Sequence, residues 1–77
     1  MAIAIYSTPS CSYCVKAKEY FKGNRIPFTD YNVASDPRRA DEMVRKSGQM
    51  GVPVIDVNGK IIVGFNQAEI ERALKRA

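Results

Sequence analysis

AIAIYSTPSCSYC, residues 2–14, joins an uncharged apolar run to the only two cysteines of the chain. The run at 2–6 consists of small, β-branched and aromatic residues, and it predicts a buried strand. Residues 12–22 place Cys14, Ala17 and Phe21 on one side of a predicted helix. A Cys-x-x-Cys motif between a strand and a helix indicates a thiol–disulfide redox site.

The rest of the chain predicts alternating strands and helices. Further strands are expected at 27–33, 52–57 and 60–63, with helices at about 37–47 and from about residue 67. Gly23 and Gly48 are expected to end the first two helices, and Asn58-Gly59 is typical of a two-residue hairpin turn. The order is βαβαββα, with parallel first strands and an antiparallel final hairpin. This order predicts an α/β fold, with helices on both sides of one four-stranded mixed sheet.

The bulk composition indicates one small domain covering residues 1–77. The net charge is +4, and the basic residues are scattered, so we expect no nucleic-acid interface. No apolar run approaches the roughly 20 residues of a membrane helix, and no secretory signal is recognisable. We therefore expect a monomeric cytoplasmic protein, in a compartment where a lone cysteine pair is more often catalytic than structural.

The two cysteines are expected to have different roles. Cys11 should begin the helix, where unpaired N–H groups and the helix dipole favour a thiolate, so we expect it to be the attacking sulfur. Cys14, one turn later, would resolve the mixed disulfide. A purely structural disulfide would close too short a loop to stabilise much. A metal or iron–sulfur site would need further ligands; the chain has no histidine, so only a version shared between subunits remains open.

Three other parts of the chain each have a functional and a structural interpretation. Pro53 can begin a strand as an ordinary trans proline, or a cis bond can turn the Val52 backbone toward the cysteines and a substrate strand. On sequence statistics alone the trans form is favoured, because only about 5–6% of X–Pro bonds are cis. Tyr13 either contacts substrate or is a surface tyrosine. Gly64-Phe65 either admits a substrate close to the backbone or ends a strand with a core phenylalanine.

The chain resembles the glutaredoxin family over nearly its whole length. The resemblance is carried by residues 6–14 and 51–54, by Asn58-Gly59-Lys60 and by Gly64-Phe65. It implies the thioredoxin fold with strand order 2-1-3-4 and a cis peptide before Pro53. It also implies dithiol exchange through a redox-active Cys11–Cys14 disulfide, with no bound cofactor or metal. The substrate-binding residues that it implies are Tyr13, Val52, Pro53, Gly64 and Phe65.

The chain departs from glutathione-using glutaredoxins at several of these positions. Ser12 and Gly51 stand where many members have proline and threonine, and Phe65 replaces the second glycine of a Gly-Gly turn. The acidic pair that usually follows this turn is absent from residues 66–68. The Gly64-Phe65 end is closer to the NrdH-redoxins, which take electrons from a thioredoxin reductase. Residues 46–53 resemble small glutaredoxin-like proteins of the YruB type.

These features predict a thiol–disulfide oxidoreductase that reduces disulfide-containing proteins and is recharged by a thioredoxin-reductase-type donor. Glutathione as electron donor and co-substrate stays open as the alternative. A subunit-bridging iron–sulfur or metal-binding module is a further alternative, from a non-enzymatic class of function. Ile5 occupies the position of the buried aspartate of thioredoxins. The proton acceptor for Cys14 therefore stays open among Lys18, water and the substrate.

Overall fold

The computed structural model describes residues 2–75 and has the predicted element order. No helix within these residues has both the length and the apolar character that crossing a bilayer requires. The second and third strands both begin later than predicted, because Pro27 and Pro53 have no N–H to contribute to a strand ladder. The elements are β1 (Ile3–Ser7), α1 (Ser12–Gly23), β2 (Thr29–Asn32), α2 (Pro37–Ser47), β3 (Val54–Val57), β4 (Lys60–Val63) and α3 (Gln67–Lys75).

The four strands form one mixed sheet in the order β2-β1-β3-β4. Strand β1 is parallel to β2 and antiparallel to β3, and β3 is antiparallel to β4. Ile5 of β1 lies opposite Asp30 on one side and opposite Ile55 on the other. The predicted strand order 2-1-3-4 is confirmed, with β1 at the centre beside β3.

Alternation along β1 divides the hydrophobic core between the two sides of the sheet. Ile3 and Ile5 pack with α1 and α3, whereas Tyr6 packs with Met43 of α2. Successive side chains of a strand point to opposite sides, so helices cover both faces of the sheet as predicted. The residues of the larger cluster are Ile3, Ile5, Ala17, Phe21, Ile55, Val57, Ile62, Ile70 and Ala73.

A polar network fixes α2 against its side of the sheet. The buried Tyr6 hydroxyl donates a hydrogen bond to Glu42, and the Lys46 ammonium donates to Tyr6 (3.1 Å) and to Asp56 (2.9 Å). The hydrogen bond from Tyr6 holds the pKa of the Glu42 carboxyl below its usual value. Every polar atom of the network thus has a partner, which removes the cost of placing these groups against a protein interior.

The turn residues behave as predicted at two places and differently at a third. Asn58 and Gly59 both have positive φ (52° and 94°), as a type I′ hairpin turn requires, and Gly48 ends α2 at φ 76°. The prediction that Gly23 ends α1 is wrong: Gly23 is helical, and Asn24 is the cap. The left-handed residue is instead Arg25, at φ 56°. Both the amide N–H and the side-chain amide of Asn24 hydrogen-bond to the Tyr20 carbonyl, which extends the helix past the glycine.

Gly23 and Gly48 therefore provide a matched pair of substitutions. A Cβ at either position meets no atom within 4 Å, so only backbone conformation differs. We expect Gly48→Ala to lower the free energy of unfolding by about 1 kcal/mol, because alanine is strained at positive φ. We expect Gly23→Ala to raise it by roughly 0.5 kcal/mol, because alanine is the better helix former. Urea unfolding of the reduced proteins measures both, and effects of the same sign would contradict this account.

Candidate active site

The Cys11 sulfur lies at the N-terminus of α1. Cys11 is the N-cap residue, with extended backbone (φ −93°, ψ 113°), and its Sγ accepts a hydrogen bond from the Cys14 amide N–H at 3.2 Å. Its own amide N–H donates to the Thr8 carbonyl at 3.3 Å, which closes the turn that delivers the chain into the helix. The first turn of α1 carries no acidic side chain. A donor and the positive end of the helix dipole thus face a half-exposed sulfur.

Cys14 is in a contrasting environment. It lies one turn inside α1 and its side chain is 0% exposed, packed on the same side of the helix as Ala17 and Phe21. Burial, followed by the hydrogen bond with Cys11, raises the pKa of the Cys14 thiol to about 11. Both cysteines are free thiols in the structure. One sulfur is therefore accessible from solvent, and the other is close to it but covered.

The loop before β3 faces the cysteines. The Val52–Pro53 peptide bond is cis, and the Val52 carbonyl lies 3.9 Å from the Cys11 sulfur, which donates to it. Within residues 2–75 the Val52 amide N–H donates to no protein acceptor. The Gly64 amide N–H donates to the Pro53 carbonyl at 2.8 Å, so the end of β4 is fixed beside this loop. The structure thus brings Cys11, Cys14, Val52, Pro53 and Gly64 together.

The remaining predicted positions lie around this centre with different surroundings. Gly64 has φ 81° and open space where a side chain would be, so the backbone conformation is what requires glycine here. The Phe65 ring packs against the larger core cluster and lies 6.0 Å from the Tyr20 ring, centroid to centroid. Tyr13 is 58% exposed, and the Lys16 ammonium lies 5.0 Å from its ring centroid. Phe65 is thus the predicted contact residue whose packing supports the structural interpretation.

Sequence reasoning missed the bracing of the loop before Val52. The Gln49 side-chain amide accepts from the Gly51 N–H at 2.7 Å and donates to the Gly51 carbonyl at 2.9 Å. The Ser47 hydroxyl in turn donates to the Gln49 carbonyl at 2.9 Å. Both backbone groups of Gly51 are therefore occupied from within the chain. No periodic pattern in the sequence signals such a contact.

A second missed feature is a chain of polar groups beside Cys14. The Ser7 hydroxyl donates to Asp30 Oδ1 at 2.6 Å, and the Lys18 ammonium donates to Asp30 Oδ2 at 3.1 Å. Lys18 follows Cys14 by one helical turn, and its charge acts to lower the pKa of Cys14 against the larger effect of burial. The available sequence signals were a serine that ends an apolar strand and an aspartate inside an aromatic one.

Comparisons with known proteins agree with this geometry. The sequence matches the glutaredoxin family over residues 3–62. It is 53% identical over 74 residues to an uncharacterised glutaredoxin-like 8.6 kDa protein in the rubredoxin operon of Clostridium pasteurianum, covering 96% of this chain and 99% of that protein. It is 27% identical over 62 residues to glutaredoxin 3 of Escherichia coli, covering 80% of this chain and 75% of that protein.

The structure is also similar to that of NrdH-redoxin from Escherichia coli. The TM-score is 0.83 at 28% identity, covering 94% of this chain and 93% of the other. The architecture is the thioredoxin fold, and its two neighbouring cysteines define a dithiol redox protein with thiol–disulfide oxidoreductase activity in the general sense. The chain belongs to the glutaredoxin family. The family and the fold predicted from the sequence are both confirmed.

The raised pKa of Cys14 leads to a test of its burial. At pH 8 an ordinary thiol is about one-quarter thiolate, whereas a thiol with a pKa of about 11 is about 0.1% thiolate. In the Cys11→Ser variant, which keeps the burial of Cys14 but removes its hydrogen bond with Cys11, we expect iodoacetamide to modify folded Cys14 at least about tenfold more slowly than the same variant in urea. The folded rate should rise with pH until it approaches the raised pKa. Equal folded and unfolded rates at pH 8 would show that Cys14 is neither buried nor perturbed.

Proposed function

We propose that this chain reduces disulfide bonds in protein substrates by exchange through Cys11 and Cys14. The observation that carries the proposal is the asymmetry of the two sulfurs around one hydrogen bond. Cys11 is half-buried and its Sγ accepts a hydrogen bond from the Cys14 N–H at 3.2 Å, while the Cys14 side chain is 0% exposed. A substrate disulfide can therefore react directly with the Cys11 sulfur, whereas the Cys14 sulfur reacts only with a disulfide that Cys11 has already formed.

The exchange proceeds in two displacements. The Cys11 thiolate attacks one sulfur of the substrate disulfide and forms a mixed disulfide; the other substrate sulfur leaves as a thiolate and takes a proton from water. Cys14 then gives its proton to water and attacks Cys11 Sγ. The bond between Cys11 and the substrate breaks, and the second substrate sulfur leaves as a thiolate. The dithiol loses two electrons and becomes the Cys11–Cys14 disulfide, and the substrate gains them.

The loop before β3 supplies the binding site for the substrate chain in this proposal. An extended segment pairs with Val52 as a short added strand, using the N–H that has no protein acceptor within the described chain. In this proposal the open space at Gly64 and the exposed ring of Tyr13 provide further contacts for the substrate. Backbone pairing recognises any extended segment, so this arrangement fits a range of protein disulfides.

A flavoprotein of the thioredoxin-reductase type is the electron donor that we propose. Phe65 packs toward Tyr20 where a small residue would leave room. The Asn66 side chain accepts the Glu69 N–H at 3.1 Å, and the Gln67 side chain donates to Glu71 at 3.1 Å, so these amides serve the first turns of α3. The NrdH-redoxin that this chain resembles is described as having a thioredoxin-like activity profile. We place the protein in the cytoplasm, where such reductases keep dithiols reduced.

Glutathione as the donor is the second candidate. A tripeptide backbone can pair with Val52 as a protein strand does, and Cys11 is equally accessible to a small thiol. A subunit-bridging iron–sulfur module ranks third, since the sequence supplies two cysteines and no histidine, and one of the two cysteines is covered.

Coupled turnover distinguishes the two donors. With a protein disulfide as substrate, we expect NADPH and thioredoxin reductase to support turnover about tenfold faster than glutathione with glutathione reductase, because the carboxylates that would hold glutathione are absent. NADPH consumption measures both reactions. Faster turnover with glutathione would overturn the donor assignment and leave the dithiol chemistry in place.

The two cysteine variants test the division of roles. Cys11→Ser should abolish exchange, because the covered sulfur of Cys14 cannot reach a substrate. Cys14→Ser should still attack but should accumulate the mixed disulfide, because nothing resolves it. Non-reducing electrophoresis and mass spectrometry detect this adduct. An adduct on Cys14 in the Cys11→Ser variant at a similar rate would reverse the assignment.

A further inference from the structure

The resolving step presents a difficulty that the two cysteines do not solve. Cys14 must lose its proton to attack, yet it is 0% exposed and its pKa is raised to about 11. Burial, the largest cause of this rise, persists when Cys11 is bonded to a substrate, so the Cys14 thiol stays mostly protonated at pH 7. A nearby positive charge would lower the free energy of the thiolate as it forms.

Lys18 is placed to supply this charge. It follows Cys14 by four residues on α1, so the two side chains lie on the same side of the helix. The Lys18 side chain is only 23% exposed, since it turns toward the sheet and donates to Asp30 Oδ2 at 3.1 Å. A lysine without such a partner would extend its ammonium group into water.

The Asp30 side chain is itself held in place by a hydrogen bond from a residue of β1. Its other oxygen, Oδ1, accepts the Ser7 hydroxyl at 2.6 Å, and Ser7 is only 2% exposed at the end of β1. The Asp30 carboxylate therefore accepts one hydrogen bond from a fixed strand residue and another from the ammonium group. This arrangement restricts Lys18 without requiring it to contact the sulfur in the resting thiol.

The charged surroundings of Cys14 make Lys18 the relevant group. Among titratable groups, Cys11 on the same helix raises the pKa of Cys14 and Lys18 lowers it, while the Thr8 backbone also lowers it. On β2, the two carboxylate oxygens of Asp30 accept hydrogen bonds from Ser7 and Lys18. The loop before β3 presents the uncharged Val52 and Pro53. Among residues 2–75, Lys18 is thus the cation whose charge acts on the resolving sulfur.

We propose that Lys18 stabilises the Cys14 thiolate during the resolving step, and that Asp30 and Ser7 are positioning residues for its ammonium group. The inference rests on the dithiol exchange proposed above. Cys14 gives its proton to water, its thiolate forms next to the Lys18 charge, and the electron pair then makes the bond to Cys11 while the substrate sulfur departs. Lys18 stays protonated throughout, so no further acid, base or oxidant is needed.

The two steps can be timed separately with dithiobis(nitrobenzoate) as the disulfide. Reduced protein releases one coloured thiolate when Cys11 attacks, and a second when Cys14 resolves the adduct. In Lys18→Gln we expect the second release to slow about fivefold at pH 7 and its pH profile to move up by about half a unit to one unit. The first release should change less than twofold. Lys18→Arg, which retains the charge, should recover at least half of the lost rate.

Lys22→Gln is the matched control. It removes the same charge from the same helix, but Lys22 is exposed and lies two turns from Cys14. Equal second-release rates in Lys18→Gln and Lys22→Gln would overturn the proposal, as would an unshifted pH profile. If the unaltered protein gave no second release, or if Cys14→Ser still gave one, the dithiol exchange itself would fail instead.

The positioning role is tested in the Asp30→Asn background. Asparagine can still bond to Ser7 but forms no ion pair with Lys18. The slowing caused by Lys18→Gln should shrink to less than half there, because the ammonium group is no longer held near Cys14. A slowing of the same size in both backgrounds would overturn the role of Asp30. Urea unfolding of each variant checks that the rates come from folded protein.

Discussion

The hydrogen bond from the Cys14 amide N–H to the Cys11 sulfur, at 3.2 Å, is the contact on which the site depends. It exists because Cys11 is the last non-helical residue and Cys14 is the third helical one, which is the usual capping distance along the chain. The same spacing places one sulfur outside the helix and the other on its buried side. A single local geometry thus produces both the exposed position and the covered one.

The sheet places the turn that carries Cys11 next to the loop that carries Val52. Strand β1 ends at Ser7, next to the turn that carries Cys11, and β3 begins at Val54, next to the loop that carries Val52. Since these strands are antiparallel neighbours, the C-terminal end of β1 and the N-terminal end of β3 lie side by side at the same end of the sheet. Burial of Ile5 and Ile55 on one side of the sheet and of Tyr6 on the other fixes the register of the two strands. The core therefore positions two loops that have no regular structure of their own.

The sequence predicted what local patterns and a family resemblance can encode. The uncharged run of small, β-branched and aromatic residues predicted β1, and Asn58-Gly59 predicted the hairpin. The CxxC motif placed Cys11 at the helix start. The residues alone favoured a trans bond before Pro53, whereas the resemblance implied cis, which is the observed form.

What could not be predicted depends on contacts between distant or irregular segments. The left-handed residue after α1 is Arg25 and not Gly23, because the Asn24 amide extends the helix. The hydrogen bond from Ser7 to Asp30 joins residues 23 positions apart, and neither residue type predicts it. The Phe65 ring, in the loop before α3, packs toward Tyr20 of α1, which is 45 residues earlier in the sequence. Sequence patterns describe one element at a time, and these features arise where elements meet.

The Gln49 side chain gives the loop before β3 a limited capacity for pairing. The Gln49 side chain bonds to both backbone groups of Gly51, whereas within residues 2–75 the Val52 amide N–H has no protein acceptor. A long free edge would invite lasting β-sheet association with other polypeptides. In the exchange that we propose, a docking edge of about one residue instead permits short encounters with many partners, each of which must be released after reduction.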